Sequence, residues 1–426
     1  MSELDKNIYY GKGYAGLYDD YMDFINYVFG FNGNSSDFKK LLPKLYRPED
    51  DPAGNSYVAV DDGKLKAAVG AFDLDVSVAG EVLRTRGIGN VAVHPYARSH
   101  GYMRKLMNEA VDDMIRDGID FSTLGGRRQR YNYFSYDKAG ESLSLSFNSD
   151  NMRHTFGYPR THAMAVRKIS NADATALDHI FTLSKTLPFY GIRKRERLYD
   201  ILTSWGASVW YGVADDVCTG YAVVNGENVS ELVVADESRI AEFTVALFDA
   251  VGRGKLTVNL PPFLPGYAEK LCRICEWYSV SPEKSFSVLN YERTVGAFMR
   301  LKAAIAGAPL PDGELTLLIH GRARDENITV SVKDGETSVA RTDKAPDAEY
   351  DHLTAMNVLF APLCPERDRL PAFARLWLPA DIHLLRRRGV RPNTGQKSKI
   401  TANKRKRPFP NAAGQQPGAR KRSFCR

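Results

Sequence analysis

Apolar and polar residues alternate along parts of the chain and recur at helical spacing along others, which predicts an α/β fold. In the N-terminal region, Tyr102, Leu106, Ala110 and Met114 recur one turn apart and predict a helix that ends at Asp117-Gly118. In this region the predicted strands are 56–60, 65–74, 87–93 and 120–124, and the predicted helices are 17–29 and 101–117. Residues 1–160 are therefore predicted to form one α/β domain.

A second domain, residues 161–284, is predicted to repeat this order of elements. Asn225-Gly226 indicates a two-residue hairpin turn between two of its strands. The predicted strands are 209–213, 221–224, 229–234 and 256–260, and the predicted helices are 171–183, 240–252 and 267–278. The repeated order of elements predicts a second copy of the first fold.

The last third of the chain divides into a third domain and a tail. Helices are predicted at 291–305 and 354–361, and paired strands at 314–320 and 328–333, which gives a further α+β domain over residues 285–390. Residues 391–426 are rich in Lys, Arg, Pro, Gly and Gln with very few apolar residues, so we predict a disordered basic tail.

The positive net charge of the chain comes from its C-terminal end. The net charge is +7, but residues 386–426 hold 14 Lys and Arg and no Asp or Glu, which leaves residues 1–385 at −7. Such an abrupt change of composition near residue 386 is what a shift of reading frame would produce. The tail could contact nucleic acid through residues 404–407, but only Phe409 and Phe424 offer stacking, so a nucleic-acid partner is not favoured.

Composition and segment pattern predict a cytoplasmic protein without a membrane partner. No run of about 18 apolar residues is present, and the first residues lack the layout of a signal peptide. Five cysteines, an odd number in a chain of 426 residues, favour a reducing compartment. Cys272 and Cys275 lie three apart on a predicted helix with no second Cys or His pair nearby, so no metal site is predicted.

Residues 91–106 carry the strongest chemical signal. The predicted strand ends at Val93, His94-Pro95 forms a turn, and Arg98-x-x-Gly101 leads into the helix. A strand, a glycine-containing loop and a helix N-terminus together offer backbone N–H groups that can hold a phosphate. The second domain has no Arg-x-x-Gly between its corresponding strand and helix, so a single phosphate site is predicted.

This element resembles the acyl-CoA loop of the GCN5-related N-acetyltransferases (GNAT). The resemblance implies acetyl-CoA as co-substrate, with the backbone of Val91, Ala92 and Val93 along the pantetheine and an N–H near Val93 at the thioester carbonyl. It also implies a pyrophosphate loop and a further cofactor contact. The implied loop residues are Arg98, Ser99, His100, Gly101, Tyr102, Met103 and Arg104, and the further contacts are Gly126 and Arg127.

A second segment, residues 130–140, resembles the Tyr-x-x-Phe-Gly-Tyr pattern of the same superfamily, with Ser135 in place of Gly. Aligning Phe134 and Tyr136 with the pattern places its catalytic tyrosine at Tyr131. A tyrosine near the sulfur can protonate the departing thiolate as a general acid. The resemblance thus implies that Tyr131 is the proton donor, while a packing aromatic is the alternative interpretation.

The order of the three domains is similar to that of the Eis (enhanced intracellular survival) acetyltransferases. This similarity implies two tandem GNAT-type mixed-sheet domains, a sterol-carrier-like C-terminal domain, a primary amine as acceptor (a polyamine, an aminoglycoside or a lysine-type amine) and a homo-oligomer, specifically a hexamer. In that family the C-terminal carboxylate is the general base. Here that carboxylate belongs to Arg426, at the end of the basic tail. A non-catalytic acyl-CoA- or lipid-binding protein is therefore the alternative.

Overall fold

Most of the predicted elements are found within a few residues of their expected bounds. The computed structural model describes residues 8–31 and 37–380. Its strands are β1 Ile8–Lys12, β2 Ser56–Asp61, β3 Lys64–Asp73, β4 Val76–Val78, β5 Glu81–Leu83, β6 Thr85–Val93, β7 Phe121–Leu124, β8 Asp137–Asn148, β9 Ala165–Ile169, β10 Phe189–Gly191, β11 Ser208–Ala214, β12 Val217–Asn225, β13 Asn228–Val234, β14 Lys255–Leu260, β15 Trp277–Val288, β16 Gly313–His320, β17 Asp325–Lys333, β18 Glu336–Arg341 and β19 Ala348–Asp351.

The helices include the two predicted in the first domain. They are α1 Tyr18–Gly30, α2 Phe38–Leu41, α3 Tyr102–Arg116, α4 Arg128–Tyr131, α5 Ser149–Phe156, α6 Ala174–Ser184, α7 Leu198–Thr203, α8 Ile240–Val251, α9 Pro265–Cys272, α10 Tyr291–Ile305, α11 His352–Phe360 and α12 Ala372–Trp377. None of the helices in the described part of the chain is long and apolar enough to cross a membrane.

One twelve-stranded sheet runs through the first two regions. Its order is β1-β2-β3-β6-β7-β15-β8-β14-β13-β12-β11-β9. Two of its neighbouring pairs are parallel, β6 with β7 and β13 with β14, and both are short. The first pairs residues 85–88 with 121–124, and the second pairs residues 228–229 with 257–258. After these points the strands of each pair separate.

The two halves of this sheet exchange strands. β8 follows the first half in sequence and pairs with β14 of the second. β15 follows the second half and lies between β7 and β8. Because β15 spans residue 284 and β8 bridges both halves, residues on either side of the predicted boundaries share one hydrogen-bonded sheet.

Helices cover the first half on opposite faces. On one face α1 packs through Tyr21 and Ile25 against Ala68 and Ala92. On the other face α3 packs through Leu106 and other apolar residues against Ala67 and Val69. Since side chains alternate along a strand, Val91 and Val93 face the α3 side while Ala92 faces α1.

The C-terminal region forms a separate four-stranded sheet, β18-β17-β16-β19, with α10 to α12 packed around it. Arg293, near the start of α10, pairs with Asp120, which lies just before β7 and is fully buried. At the start of α11, His352 contacts the backbone of Ser135. These contacts attach the region to the first half of the large sheet.

The helix predicted at 267–278 is wrong in its second half. α9 ends at Cys272, and Trp277 and Tyr278 begin β15, where they pair with Ser146 and Leu145 of β8. The helical spacing of Leu271 and Ile274 is real, but sheet pairing with a strand from a distant part of the sequence overrides it. The predicted tail, 391–426, lies outside the described residues.

Candidate active site

A gap opens between β6 and β7 after Ile88. The register of β6 against β3 shifts, so that Ala92 opposes Ala68 while Gly89 opposes Gly70, which leaves an extra residue in β6. Asn90, in this bulge, has a positive φ of 47°. A bulge of this kind bends its strand. β6 therefore turns away from β7, and the parallel pair becomes a V-shaped cleft.

One wall of the cleft is the backbone of β6 beyond the bulge. The N–H of His94 donates to the carbonyl of Lys66 in β3, at 2.8 Å. Since successive N–H groups of a strand point in opposite directions, the N–H of Val93 points away from β3 and into the cleft. Val91 and Val93 are partly buried against the α3 side. The Val93 N–H is therefore geometrically open to a ligand, whereas the backbone of Ala92 faces Ala68 of β3, so the predicted contact through Ala92 does not fit this geometry.

The loop into α3 exposes its backbone. Arg98, Ser99, His100 and Gly101 are all exposed. Ser99 and Gly101 both have positive φ, 70° and 77°, and Gly101 is the N-cap of α3 without a side-chain hydrogen bond to the helix. A Cβ on Gly101 would meet no atom within 4 Å, so the space beside it is open. The first N–H groups of α3 can therefore face an anion.

The remaining loop residues differ in exposure. Tyr102 is buried and its ring stacks on His100, with centroids 5.8 Å apart. Met103 is partly buried in the same apolar cluster, and Arg104 is exposed on the first turn of α3. Hence Arg98 and Arg104 supply exposed positive charge at this end of the cleft, while Tyr102 anchors the helix to the core.

The opposite wall follows β7 and carries Tyr131. A Cβ on Gly126 would lie 2.2 Å from the Tyr131 ring, so only glycine allows this ring to pack here. Tyr131 is 7% exposed and belongs to the same cluster as Tyr102 and Leu124, against which Val91 and Val93 pack. Arg127 is exposed at the N-cap of α4. Tyr131 and both valines of β6 therefore belong to one apolar cluster.

Burial sets the protonation state of this phenol. Desolvation raises the pKa of Tyr131 above its ordinary value of 10, and the neighbouring Arg130 only partly opposes this. Tyr131 is therefore neutral near pH 7 and has a proton to donate.

A polar network that the sequence analysis missed supports this wall. Asp137, the first residue of β8, accepts two hydrogen bonds from Arg128 at the start of α4, at 2.5 and 2.8 Å. Asn357 of α11 donates to the same carboxylate at 3.0 Å. Burial opposes ionisation, but these bonds and one from the Lys138 N–H hold the pKa of Asp137 at about 2. No local pattern marks Asp137 and Asn357, because they lie in distant parts of the sequence.

An aromatic cluster lies on the α1 side, next to the same loop. Tyr27 stacks on His94 with ring centroids 5.3 Å apart, and Phe31 meets Tyr96 edge to face at 6.2 Å. Tyr96 is 81% exposed, and Tyr27 and Phe31 are each more than 40% exposed. Asp19, Asp20 and Asp23 are also exposed on α1. Exposed ring faces and carboxylates both attract cations.

At the corresponding cleft between β13 and β14, whose walls line a cavity at residues 230–233 and 259–261, a tyrosine of the protein bonds the strand backbone. The hydroxyl of Tyr267, on α9, accepts from the Val234 N–H at 2.9 Å and also contacts the Val234 carbonyl at 3.3 Å. Before α8, Glu237 lies against Gly266 and pairs with Lys270 at 3.0 Å. The backbone groups of β13 at this point are therefore already bonded.

The described residues contain no group of three or more His, Cys, Asp or Glu side chains that could hold a metal ion. Cys275 lies past the end of α9, and its Sγ donates to the carbonyl of Cys272 at 3.6 Å.

Comparison with known proteins defines the class. Residues 14–140 match the family model of the acetyltransferase (GNAT) domain. No curated protein sequence matches the chain. The matched segment contains the β6–α3 loop and Tyr131, so the chain contains a GNAT acetyltransferase domain and is an acyltransferase enzyme.

Solved structures extend the likeness over most of the chain. A GCN5-related N-acetyltransferase from Anabaena variabilis is 14% identical with a TM-score of 0.63, covering 89% of this chain and 97% of its own. One from Kribbella flavida is 18% identical with a TM-score of 0.61, covering 88% and 96%. Eis1 from Mycobacterium abscessus is 13% identical with a TM-score of 0.58, again covering 88% and 96%. The chain therefore shares its overall fold with an Eis protein, while the sterol-carrier character of residues 285–390 stays a prediction.

Proposed function

We propose that this protein transfers the acetyl group of acetyl-CoA to a primary amine. The observation that carries the proposal is the cleft beyond Ile88, where the Val93 N–H points away from β3. It is supported by the left-handed Gly101 at the start of α3 and by the buried, neutral Tyr131. These features match the three parts of a thioester donor: an amide-rich arm, a pyrophosphate and a thiol leaving group.

Each part of the donor has a matching surface. The pantetheine amides would bond to the backbone of Val91 and Val93, on either side of Ala92, in the manner of an added strand. The pyrophosphate would lie over residues 98–104, where the N–H groups of the loop and the positive end of the α3 dipole favour an anion. Gly126 and Arg127 would flank it from the other wall. At the second cleft Tyr267 already bonds the Val234 N–H and the carboxylate of Glu237 stands before α8, so one donor would bind per chain.

The reaction would be a direct transfer. The amine nitrogen attacks the thioester carbonyl carbon, and the carbonyl oxygen takes up the negative charge next to the Val93 N–H. As the C–S bond breaks, Tyr131 gives its proton to the sulfur, so coenzyme A leaves as the thiol. The amine loses a proton to a water molecule or a carboxylate, and Tyr131 is reprotonated from solvent. The carboxylate of Arg426 lies outside the described residues.

The surroundings favour a cationic acceptor. The aromatic cluster of Tyr27, Phe31, His94 and Tyr96 and the carboxylates of Asp19, Asp20 and Asp23 lie on the face opposite α3. Polyamines, aminoglycosides and lysine-type amines carry ammonium groups that such a surface attracts. A homo-oligomer and a cytoplasmic location stay predictions from the sequence.

An amine panel tests the proposal. Thiol release from acetyl-CoA would be measured with spermidine, an aminoglycoside and a lysine peptide, using the full-length chain and a chain truncated after Val390. We expect release with at least one amine. Acetyl-CoA binding without release for either chain would instead favour the non-catalytic acyl-CoA-binding alternative.

Tyr131→Phe tests the proton donor. Loss of a general acid lowers turnover on the order of 10²–10³-fold. The affinity for acetyl-CoA should stay nearly unchanged, because the ring still packs against Gly126. Tyr133→Phe is the matched control, since Tyr133 is 86% exposed on the same segment and should turn over like the wild type. Unchanged turnover in Tyr131→Phe would remove Tyr131 from the mechanism.

A further inference from the structure

Two polar side chains of α11, in the C-terminal region, contact the segment that carries Tyr131. The Nε2 of His352 lies 2.9 Å from the carbonyl oxygen of Ser135, and the Nδ2 of Asn357 lies 3.0 Å from Oδ2 of Asp137. Both contacts connect parts of the chain that are far apart in the sequence. They therefore join the C-terminal region directly to residues 128–137.

The hydrogen bonds around His352 define which ring nitrogen carries the proton. Its Nδ1 lies 3.3 Å from the backbone N–H of Arg322, which can only donate, and 3.1 Å from the Tyr291 hydroxyl. Nδ1 is therefore an acceptor, and Nε2 carries the proton and donates to Ser135. Burial lowers the pKa of His352 to about 4, so the ring is neutral near pH 7.

The acceptor of this bond is in an unfavourable backbone conformation. Ser135 has φ 66° and ψ 27°, a left-handed conformation in which a residue with a Cβ is strained. It lies at the end of the turn that returns the chain from α4 to β8, where the Tyr136 N–H donates to the Tyr131 carbonyl at 3.2 Å. A donor aimed at the Ser135 carbonyl thus stabilises the turn that orients Tyr131.

The second contact holds the other side of the segment. Asp137 binds Arg128, the first residue of α4, and Asn357 binds Asp137 while also donating to the carbonyl of Leu353 within α11. Both ends of the segment 128–137 are therefore attached to α11, a packed helix of the C-terminal region. Asp137 is attached directly and Arg128 is attached through Asp137.

We propose that His352 is a positioning residue for acetyl transfer, which holds Tyr131 at the cleft through its bond to the Ser135 carbonyl, with Asn357 as a second attachment. This inference rests on the proposed role of Tyr131. It gives the C-terminal region a direct part in catalysis, since that region sets the geometry of the proton donor without touching the substrate.

The test compares four variants of the full-length chain. His352→Ala removes the donor, and His352→Gln keeps an N–H near the position of Nε2. Ser135→Gly combined with His352→Ala removes the strain that the bond offsets, because glycine adopts a positive φ readily. Thr316→Val is the matched control, since it removes a buried 3.0 Å hydrogen bond to Thr329 in the same region, remote from the segment 128–137.

We expect His352→Ala to lower kcat on the order of tenfold, with the KM for acetyl-CoA unchanged, as the loss of one buried hydrogen bond predicts. His352→Gln and the double variant should recover most of this loss, and Thr316→Val should match the wild type. Amide hydrogen exchange should quicken in residues 128–137 of His352→Ala alone.

The outcomes separate this inference from the proposed function. A wild type that exchanges as expected but acetylates no amine would overturn the proposed function and leave the attachment of the segment supported. His352→Ala with the kcat and the exchange pattern of Thr316→Val would overturn the positioning role. Failure of both His352→Gln and the double variant to recover kcat would also overturn it.

Discussion

The two V-shaped clefts of the central sheet are built alike but differ in whether a side chain of the protein bonds the strand backbone at the cleft. In each, a short parallel pair separates after a few residues, and the longer strand leads through a 3-10 turn into a helix, α3 or α8. In the first cleft the N–H of Val93 points away from β3. In the second, Tyr267 occupies the N–H of Val234.

The helix N-termini differ in charge as well. The first turn of α3 has no acidic residue, and Gly101 precedes it in an open, left-handed conformation. The turn before α8 has Asp236, whose carboxylate accepts from the Ser238 N–H, and Glu237. These carboxylates would repel an anion at the place where a phosphate would otherwise bind. Binding at each cleft therefore depends on which backbone groups are left unbonded after the sheet has formed.

The largest expected effect is on donor binding. Calorimetry should give one acetyl-CoA per wild-type chain, and Gly101→Val should weaken its affinity on the order of 100-fold, as the loss of one or two hydrogen bonds to a charged group implies. A β-branched residue disfavours φ of 77°, so the turn rearranges and its N–H groups no longer converge. A variant that still binds one equivalent with wild-type affinity would exclude the Gly101 turn as the site of the donor's pyrophosphate.

Gly226→Val is the control for this change. Gly226 also has positive φ, 60°, and open space around it, but it forms the β12–β13 hairpin turn. Its substitution should destabilise the fold by about 1–2 kcal/mol, as for Gly101, without any change in affinity. A comparable loss of affinity would mean that the effect of Gly101→Val is a general loss of stability.

A substitution at the second cleft should lower the stability of the fold without changing turnover. Tyr267→Phe leaves the Val234 N–H buried without its partner, which costs about 1–3 kcal/mol of unfolding free energy. Urea unfolding would measure this loss, and turnover at saturating substrates should not change. A drop in turnover as large as that of Tyr131→Phe would contradict the assignment of a structural role to this tyrosine.

The smallest expected effect is the pH-dependent loss of stability when Asp137 is replaced. The pKa of Asp137 is lowered to about 2 in the folded chain, so its contribution is present above its unfolded value near 4 and is lost as the pH falls toward 2. Asp137→Asn should therefore cost about 1–2 kcal/mol at pH 7 and less at pH 3. Urea unfolding at the two pH values tests this, and an equal cost at both would show that the charge of Asp137 is not what stabilises the segment.

Local patterns predicted six elements of the first half, namely β2, β3, β6, β7, α1 and α3, and did not predict β1, β4, β5 and β8. Alternation in β6 and one-turn spacing in α3 are properties of neighbouring residues, and both elements appear close to their predicted bounds. β15 was missed, because its first residues continue a helical pattern and its exposed Trp277, Tyr278 and Val280 show no buried face. Its strand state comes from pairing with β8.

Some residues of the candidate site could be predicted from local sequence and others could not. The loop residues and Tyr131 stand out by their type and spacing, and they are local to two short segments. Asp137, Ser135, His352 and Asn357 carry no such signal, since their roles depend on contacts between distant parts of the chain.

Local sequence was sufficient to predict the loop with its glycine at the helix start, the tyrosine segment and the class of chemistry they support, because each depends on residues a few positions apart. Three features are visible only in the folded chain: the halves share one sheet, Tyr267 bonds the backbone at the second cleft, and α11 contacts the Tyr131 segment. These features arise from hydrogen bonds between residues that are far apart in the chain, and no periodicity along a chain records which distant groups will meet.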